Sequence, residues 1–219
     1  MRVVIAGGHG QIALRLTKLL AGDGHEVVGL VRNPDHEADL TAAGGQAAVL
    51  DLERVDAAAV AGVLAGADVA IFAAGAGPGS GNARKDTVDR GAAALFAAAA
   101  EQAGVRRHLQ VGSMGADGAD ALTDDETFTV YLKAKWAAEE DLRSRDLDWT
   151  ILRPGGLTNE AGTGRVRLAD NTGNGSVSRD DVALVLAGLC DTPAAIGRTL
   201  ELIAGDTPVA EALKSLKDF

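Results

Sequence analysis

The segment that most limits what this chain can fold into is Gly7-Gly8-His9-Gly10-Gln11-Ile12-Ala13, because of what flanks it. Before it runs the apolar stretch Val3-Val4-Ile5-Ala6, which reads as a buried strand. After it, Ile12, Leu16, Leu19 and Leu20 recur at helical spacing. Gly22-Asp23-Gly24 ends that helix, and Glu26 to Val31 reads as a second strand. A glycine-rich turn in that setting opens a strand–helix–strand unit. Glycine at 7 permits the tight turn, glycine at 10 lets the backbone approach a pyrophosphate, and Ala13 lets helix and sheet pack closely. The exposed N–H groups at the helix start, with the helix dipole, attract phosphate charge.

The alternation continues along the chain. Ala47 to Leu50 is a short third strand, and Asp51 is expected to cap the helix that follows through Ala58 to Leu64. Asp68 to Ala73 is a fourth strand. A loop from Gly75 to Ala83, with glycines at 75, 77, 79 and 81, is a candidate lid. The Ala-rich segment Lys85 to Gln102 is a strong helix, and His108 to Val111 a fifth strand. A long helix is expected from about Glu126 to Ser144, with the acidic residues Asp124-Asp125-Glu126 at its N-terminus. Trp149 to Leu152 is a sixth strand, stopped by Arg153-Pro154-Gly155-Gly156. A helix near Arg179 to Cys190, a strand near Leu200 to Ile203 and a terminal helix complete the pattern. Near-continuous apolar strands alternating with helices specify an α/β fold with a doubly wound parallel sheet, the Rossmann fold, and a short C-terminal extension. Residues 1–219 are expected to form one domain, with 154–219 completing its cleft.

Charge and composition narrow the partners. The net charge of −10 repels phosphate backbones and anionic membranes, so neither nucleic acid nor membrane is an expected partner. A small molecule is expected instead, bound by a monomer or small homo-oligomer. No stretch approaches the roughly 18 apolar residues of a membrane span, and the N-terminal apolar run is too short for a signal peptide, so a cytoplasmic location is expected. Cys190, the one cysteine, lies beside an apolar run and reads as a buried structural thiol. None of the four histidines has metal-site spacing, so no metal is expected. His9 sits at the phosphate turn, away from the expected chemistry, and reads as a solvent-facing or phosphate-neighbouring residue.

Two further groups carry chemistry. In a Rossmann fold the end of the second strand meets the adenosine ribose, and an acidic residue there favours NAD(H). Here that place holds Val31-Arg32-Asn33. A guanidinium binds a 2′-phosphate through paired charged hydrogen bonds, so Arg32, with Asn33 beside it, predicts NADP(H), and NAD(H) as the weaker alternative. Tyr131 and Lys135 are four apart on a predicted helix and share one face. An ammonium near a phenol favours the phenolate, and such a pair can move a proton while a nicotinamide moves a hydride. Ser113 ends the fifth strand, where it can hydrogen-bond a substrate oxygen.

These pieces resemble the atypical short-chain dehydrogenase/reductases, in the small NAD(P)H-binding branch related to NmrA-like and biliverdin/flavin reductase proteins. The matching segments are GGHGQIA at 7–13, VRNP at 31–34, DL at 51–52, AAG at 73–75 and VDRGA at 88–92. VGS at 111–113, YLKAK at 131–135, TILRPGGLT at 150–158 and SRDDVA at 178–183 extend the match over almost the whole chain. The resemblance implies that Gly7, Gly10, Gln11 and Ile12, with Gly8 and His9 completing the loop, surround the pyrophosphate. It implies Asp51 and Leu52 by the adenine, and Ala73, Ala74 and Gly75 along the cofactor. Pro154 and Gly155 would flank the nicotinamide. Ser113, Tyr131 and Lys135 would be the catalytic set, with the lysine also holding the nicotinamide ribose.

The implied activity is hydride transfer from NADP(H) to a small carbonyl, quinone or flavin-like substrate. A non-catalytic dinucleotide sensor of the NmrA-like type is the alternative. A sugar-nucleotide epimerase or dehydratase is disfavoured, because only 66 residues follow Arg153 to build a substrate portion.

Overall fold

The computed structural model describes residues 1–77, 81–119 and 125–216. Its strands are β1 (Arg2–Ala6), β2 (Glu26–Val31), β3 (Gln46–Val49), β4 (Val69–Phe72), β5 (Arg107–Val111) and β6 (Asp148–Pro154), followed by β7 (Gly156–Thr158), β8 (Arg165–Ala169), β9 (Ser176–Ser178), β10 (Arg198–Ala204) and β11 (Thr207–Pro208). Nine of these form one sheet in the order β11-β8-β10-β6-β5-β4-β1-β2-β3, and β7 pairs with β9 in a small second sheet. From β10 through β3 every neighbouring pair in that sheet is parallel, while β8 runs antiparallel to β10. The chain leaves β1 toward β2 and β3, then returns to place β4 on β1's other side. That reversal is the switch point at which a doubly wound sheet opens a crevice.

Alternation along β1 feeds two cores. Val3 and Ile5 face one side of the sheet, where α1 (Gln11–Gly22) and α7 (Arg179–Leu189) cover them with Leu16, Leu20, Val182 and Leu186. Val4 and Ala6 face the other side, under Val60 and Leu64 of α3 (Ala57–Leu64), Phe96 and Ala100 of α5 (Ala93–Ala103) and Leu142 of α6 (Glu126–Arg143). The short α2 (Glu37–Ala42) and α8 (Val209–Lys214) sit at the edges. The doubly wound parallel sheet is thus the observed architecture, and no helix among the described residues is long and apolar enough to cross a membrane.

Several local expectations need correction. Asp51 does not cap α3. Asp56 is the N-cap, its carboxylate accepting from the Ala59 N–H at 2.9 Å, while Asp51 accepts from the Glu53 N–H in the preceding turn. The helix expected from Lys85 is not uniform: after the short α4 (Asn82–Arg84), residues Lys85–Ala92 wind as a π-helix before α5 begins. Strands β7, β8, β9 and β11 extend the C-terminal part beyond the single strand expected there. The centre of the candidate lid, residues 78–80, and Asp124 lie outside the described residues. Asp125 does cap α6, accepting from the N–H groups of Thr127 and Phe128. Cys190 is buried, and burial pushes its thiol up to about 12, so it is an inert packing group at neutral pH.

His108 on β5 is fully buried against Phe96, with neither ring nitrogen hydrogen-bonded. Burial, reinforced by the charges of Arg107 and Arg145, lowers its imidazole to about 3. The unfolded chain binds this proton near pH 6.5 and the native chain does not until about pH 3, so stability falls as the pH drops between those values. The loss due to this one group is about 2 kcal/mol by pH 5. His108→Leu should therefore reduce the stability lost between about pH 7.5 and pH 5 by roughly that amount, read from urea unfolding at the two pH values. An equal loss in both proteins would assign the acid sensitivity elsewhere.

Candidate functional site

The crevice lies at the carboxyl ends of β1, β4, β5 and β6 and has two chambers that share Ala73, Ala74 and Gly75. The first, about 320 Å³, is lined by Gly7, His9, Gly10, Arg32, Asp51, Leu52, Glu53 and Arg84 among others. The second, about 740 Å³, is lined by Ile12, Ser113, Tyr131, Lys135, Pro154, Gly155 and residues of the C-terminal part.

The first chamber is built by a close backbone approach. Gly7 adopts φ +77, and a Cβ on it would lie 2.6 Å from Ala74 Cα. A Cβ on Gly8 would lie 2.6 Å from Gly29 Cα. The loop therefore sits directly on β2 and on the end of β4. Gly10 is the N-cap of α1 but offers no side-chain cap, and no acidic residue occupies the first turn. The first N–H groups of this 12-residue helix thus lack side-chain acceptors, and the helix start is at the cavity wall. A pyrophosphate fits such a cradle, so the residues present suit a dinucleotide.

At the adenosine end Glu53 is the hub. Its carboxylate accepts from Arg84 at 2.8 Å and from the Thr87 hydroxyl at 2.7 Å, with Arg32 at 3.4 Å. The hydrogen bond from Arg84, then that from Thr87, hold its carboxyl below the usual range. Arg84 and Glu53 were not anticipated from the sequence. His9 Nε2 lies 2.7 Å from Asp39, and its ring stacks on His36 at 3.6 Å, forming one rim of the chamber. Of the other loop and strand residues singled out, Gly8 is buried behind the wall, and Gln11 and Asn33 do not line either chamber. Asn33 instead caps the 3₁₀ turn Pro34–His36, accepting from the Asp35 N–H.

In the second chamber one helix carries Tyr131 and Lys135, as their spacing implied. Lys135 is almost fully buried, while Tyr131 is partly exposed on the cavity wall. Its ammonium donates to the Val111 carbonyl at 3.2 Å and lies 3.3 Å from Asp89 Oδ1, an ion pair whose partners are 5% and 1% exposed. Asp89 Oδ1 has no hydrogen-bond donor at that geometry, while Oδ2 accepts from the Ala76 N–H. Asp89 comes from the π-helical segment and was not anticipated either. The Tyr131 ring has two ammonium groups within cation–π range, Lys85 Nζ at 5.2 Å and Lys135 Nζ at 5.8 Å from its centroid. Ser113 makes only a long bond, 3.4 Å, to the Met114 carbonyl.

A buried network fixes this helix to the sheet. Glu139, one turn beyond Lys135, is fully buried and accepts from Arg153 at 2.6 Å and from Arg143 at 3.1 Å. Arg153 precedes Pro154 and also reaches Asp117 at 2.8 Å, holding that carboxyl below the usual range. A Cβ on Gly112 would lie 2.3 Å from Glu139 Oε1, so the glycine before Ser113 makes room for the network.

The fold and the cradle define a dinucleotide-binding Rossmann protein. The family described as NAD(P)H-binding matches residues 7–193, and the chain belongs to it. It is 37% identical over 217 residues to the "Uncharacterized sugar epimerase YhfK" of Bacillus subtilis (strain 168), covering 99% of this chain and 100% of that one. A candidate NAD-dependent epimerase/dehydratase from Bacillus halodurans superposes with a TM-score of 0.92 at 34% identity, over 99% of this chain and all of the other. ChuY, an anaerobillin reductase from Escherichia coli O157:H7, superposes at 0.80 with 28% identity, over 94% and 98% of the two chains.

Gly10 separates the cofactor role of the loop from its folding role. Its φ of −62 suits any residue, and its Cβ would meet only the Gly7 carbonyl closely, at 3.1 Å. Gly10→Val should therefore leave the fold intact while weakening dinucleotide binding by about 10-fold or more, since branched methyls would stand where phosphate approaches. Calorimetric titration with NADPH checks this; unchanged affinity would remove the phosphate role of the loop.

Proposed function

We propose that this protein is an NADP(H)-dependent oxidoreductase that transfers hydride to a small carbonyl, quinone or flavin-like acceptor. The observation that carries this reading is the continuity of the two chambers. The glycine cradle opens through Ala73 to Gly75 into a cavity walled by Ser113, Tyr131 and Lys135. The bound cofactor supplies the hydride. Tyr131 then provides the proton at the acceptor oxygen, Ser113 holds that oxygen by a hydrogen bond, and Lys135 stands beside the phenol as a fixed ammonium. Lys135 also has the position to hold the nicotinamide ribose, between Val111 and Asp89.

Two guanidiniums support NADP(H) over NAD(H). Arg32 and Arg84 converge on the adenosine chamber, and Glu53 pairs with both. A 2′-phosphate offers the same two arginines more negative charge than one carboxylate does, so it can displace Glu53 from them. A second reading rests on the name of the Bacillus subtilis relative. A sugar epimerase would use a tightly held dinucleotide without net oxidation, and the same tyrosine–lysine pair serves that chemistry.

Loss of the near-ultraviolet absorbance of NADPH with a panel of quinones, flavins and aldehydes separates the two readings. Net oxidation by one of them is expected. With that acceptor, Tyr131→Phe should cut turnover by about 10²-fold or more while leaving cofactor affinity nearly unchanged. A fully active variant would mean hydride transfer without this proton donor. NADPH should bind about 10- to 150-fold more tightly than NADH, and Arg32→Ala should close the gap mainly by weakening NADPH. Equal affinities in the unmodified protein would leave Arg32 as a surface residue.

A further inference from the structure

Lys85 is 91% buried, yet no carboxylate among the described residues lies within ion-pair distance of it. Its contact is the face of Tyr131, 5.2 Å from the ring centroid. The side chain lines the second chamber, so its ammonium is presented to whatever that chamber holds. The nearby carboxylate of Asp89 is engaged by Lys135 and by the Ala76 N–H. A second cation, Arg179 at the start of α7, lines the same cavity and donates to a neutral partner, Asn159 Oδ1, at 3.0 Å. Among the described residues the cavity wall thus carries Lys85, Lys135 and Arg179 against one carboxylate, that of Asp89, in a chain whose net charge is −10. Such a local excess of positive charge runs against the rest of the surface and marks a site for an anion.

Apolar side chains form another part of the wall. Phe128 is 45% exposed and Leu157 40% exposed, and both line this cavity. Met114 stands beside them. Large side chains left open to solvent around a concave, cationic site are suited to a flat apolar body. Lys85, on the cavity wall with no carboxylate partner among the described residues, offers its ammonium to a negative charge, which a carboxylate supplies, and Arg179 on the same wall adds to the attraction.

We propose that the acceptor carries, beside the carbonyl, quinone or flavin-like group that takes the hydride, a carboxylate on an aromatic or conjugated body, with Lys85 as the residue that selects the carboxylate and Phe128 and Leu157 as the surface for the ring system. This rests on the second chamber being the substrate site of the reading above.

The test is calorimetric titration with naphthalene-2-carboxylate and its neutral isostere 2-naphthamide, with and without saturating NADP⁺. The carboxylate should bind about 10-fold or more tightly than the amide, the size of a charge-assisted hydrogen bond. Lys85→Gln should bring the two ligands within about 2-fold of each other while leaving NADP⁺ affinity unchanged; Lys85→Arg, which keeps the charge, should retain the preference. The proposal is overturned if the carboxylate shows no binding up to the millimolar range, if the amide binds equally well, or if the preference survives in Lys85→Gln. It is equally overturned if Lys85→Gln loses NADP⁺ affinity in step, because Lys85 would then serve the cofactor. Failure of NADP⁺ itself to bind the unmodified protein would end the oxidoreductase reading, yet the carboxylate preference would still be read in its absence.

Discussion

Everything at the cleft depends on one steric constraint: the β1–α1 loop touches the backbone of its neighbours with no side chain between. Gly7 lies against Ala74 and Gly8 against Gly29. The Gly8 N–H donates to the Leu30 carbonyl at 2.9 Å, so the loop is also tied to β2 by a hydrogen bond. Burial of Val, Leu and Ala on both faces of the sheet supplies most of the stability, at about 25 cal/mol per Å² of apolar surface. That burial does not choose where a ligand goes. The glycine contact does, because it brings the uncapped start of α1 to the switch point between β1 and β4.

Buried charge plays a second and different part. Glu139 with Arg153, and Asp89 with Lys135, are both almost wholly removed from water. Desolvation cancels much of what such pairs gain, so they are poor explanations of stability. Their geometry is the useful property. The first ties α6 to the residue before Pro154, and the second ties α6 to the π-helical segment. Tyr131 lies on the same helix, so these ion pairs help to set its position relative to both cavity walls.

The fold was legible because its signals are local and periodic. Val3 to Ala6, the glycine loop and Leu16 with Leu20 declare strand, turn and helix in one short stretch, and Tyr131 and Lys135 meet because four residues make about one helical turn. The missed residues act across distance. Glu53 meets Arg84 over 31 positions and Lys135 meets Asp89 over 46, separations for which no spacing rule exists. The cap of α3 is Asp56, five residues beyond the Asp51 expected from the strand end; helix boundaries are where sequence patterns say least. Strand β8 alternates exposed and buried residues over Arg165–Ala169, but only its antiparallel pairing with β10 gives that alternation a face to bury. Lys85 looked like any solvated lysine at the start of an alanine-rich helix.

The π-helical winding of Lys85–Ala92 has a consequence for how this family can vary. Hydrogen bonds that skip one residue further than in an α-helix make each turn hold an extra residue, so the segment stores an insertion without looping it out. Lys85 and Asp89 lie four apart and both are buried here. Removing one residue would let the segment relax to ordinary α winding and rotate everything N-terminal to it about the axis relative to α5. Such a deletion would change the angular phase that turns Lys85 toward the cavity. A change of length at this segment would therefore re-aim the wall that meets the substrate, even with every residue type kept.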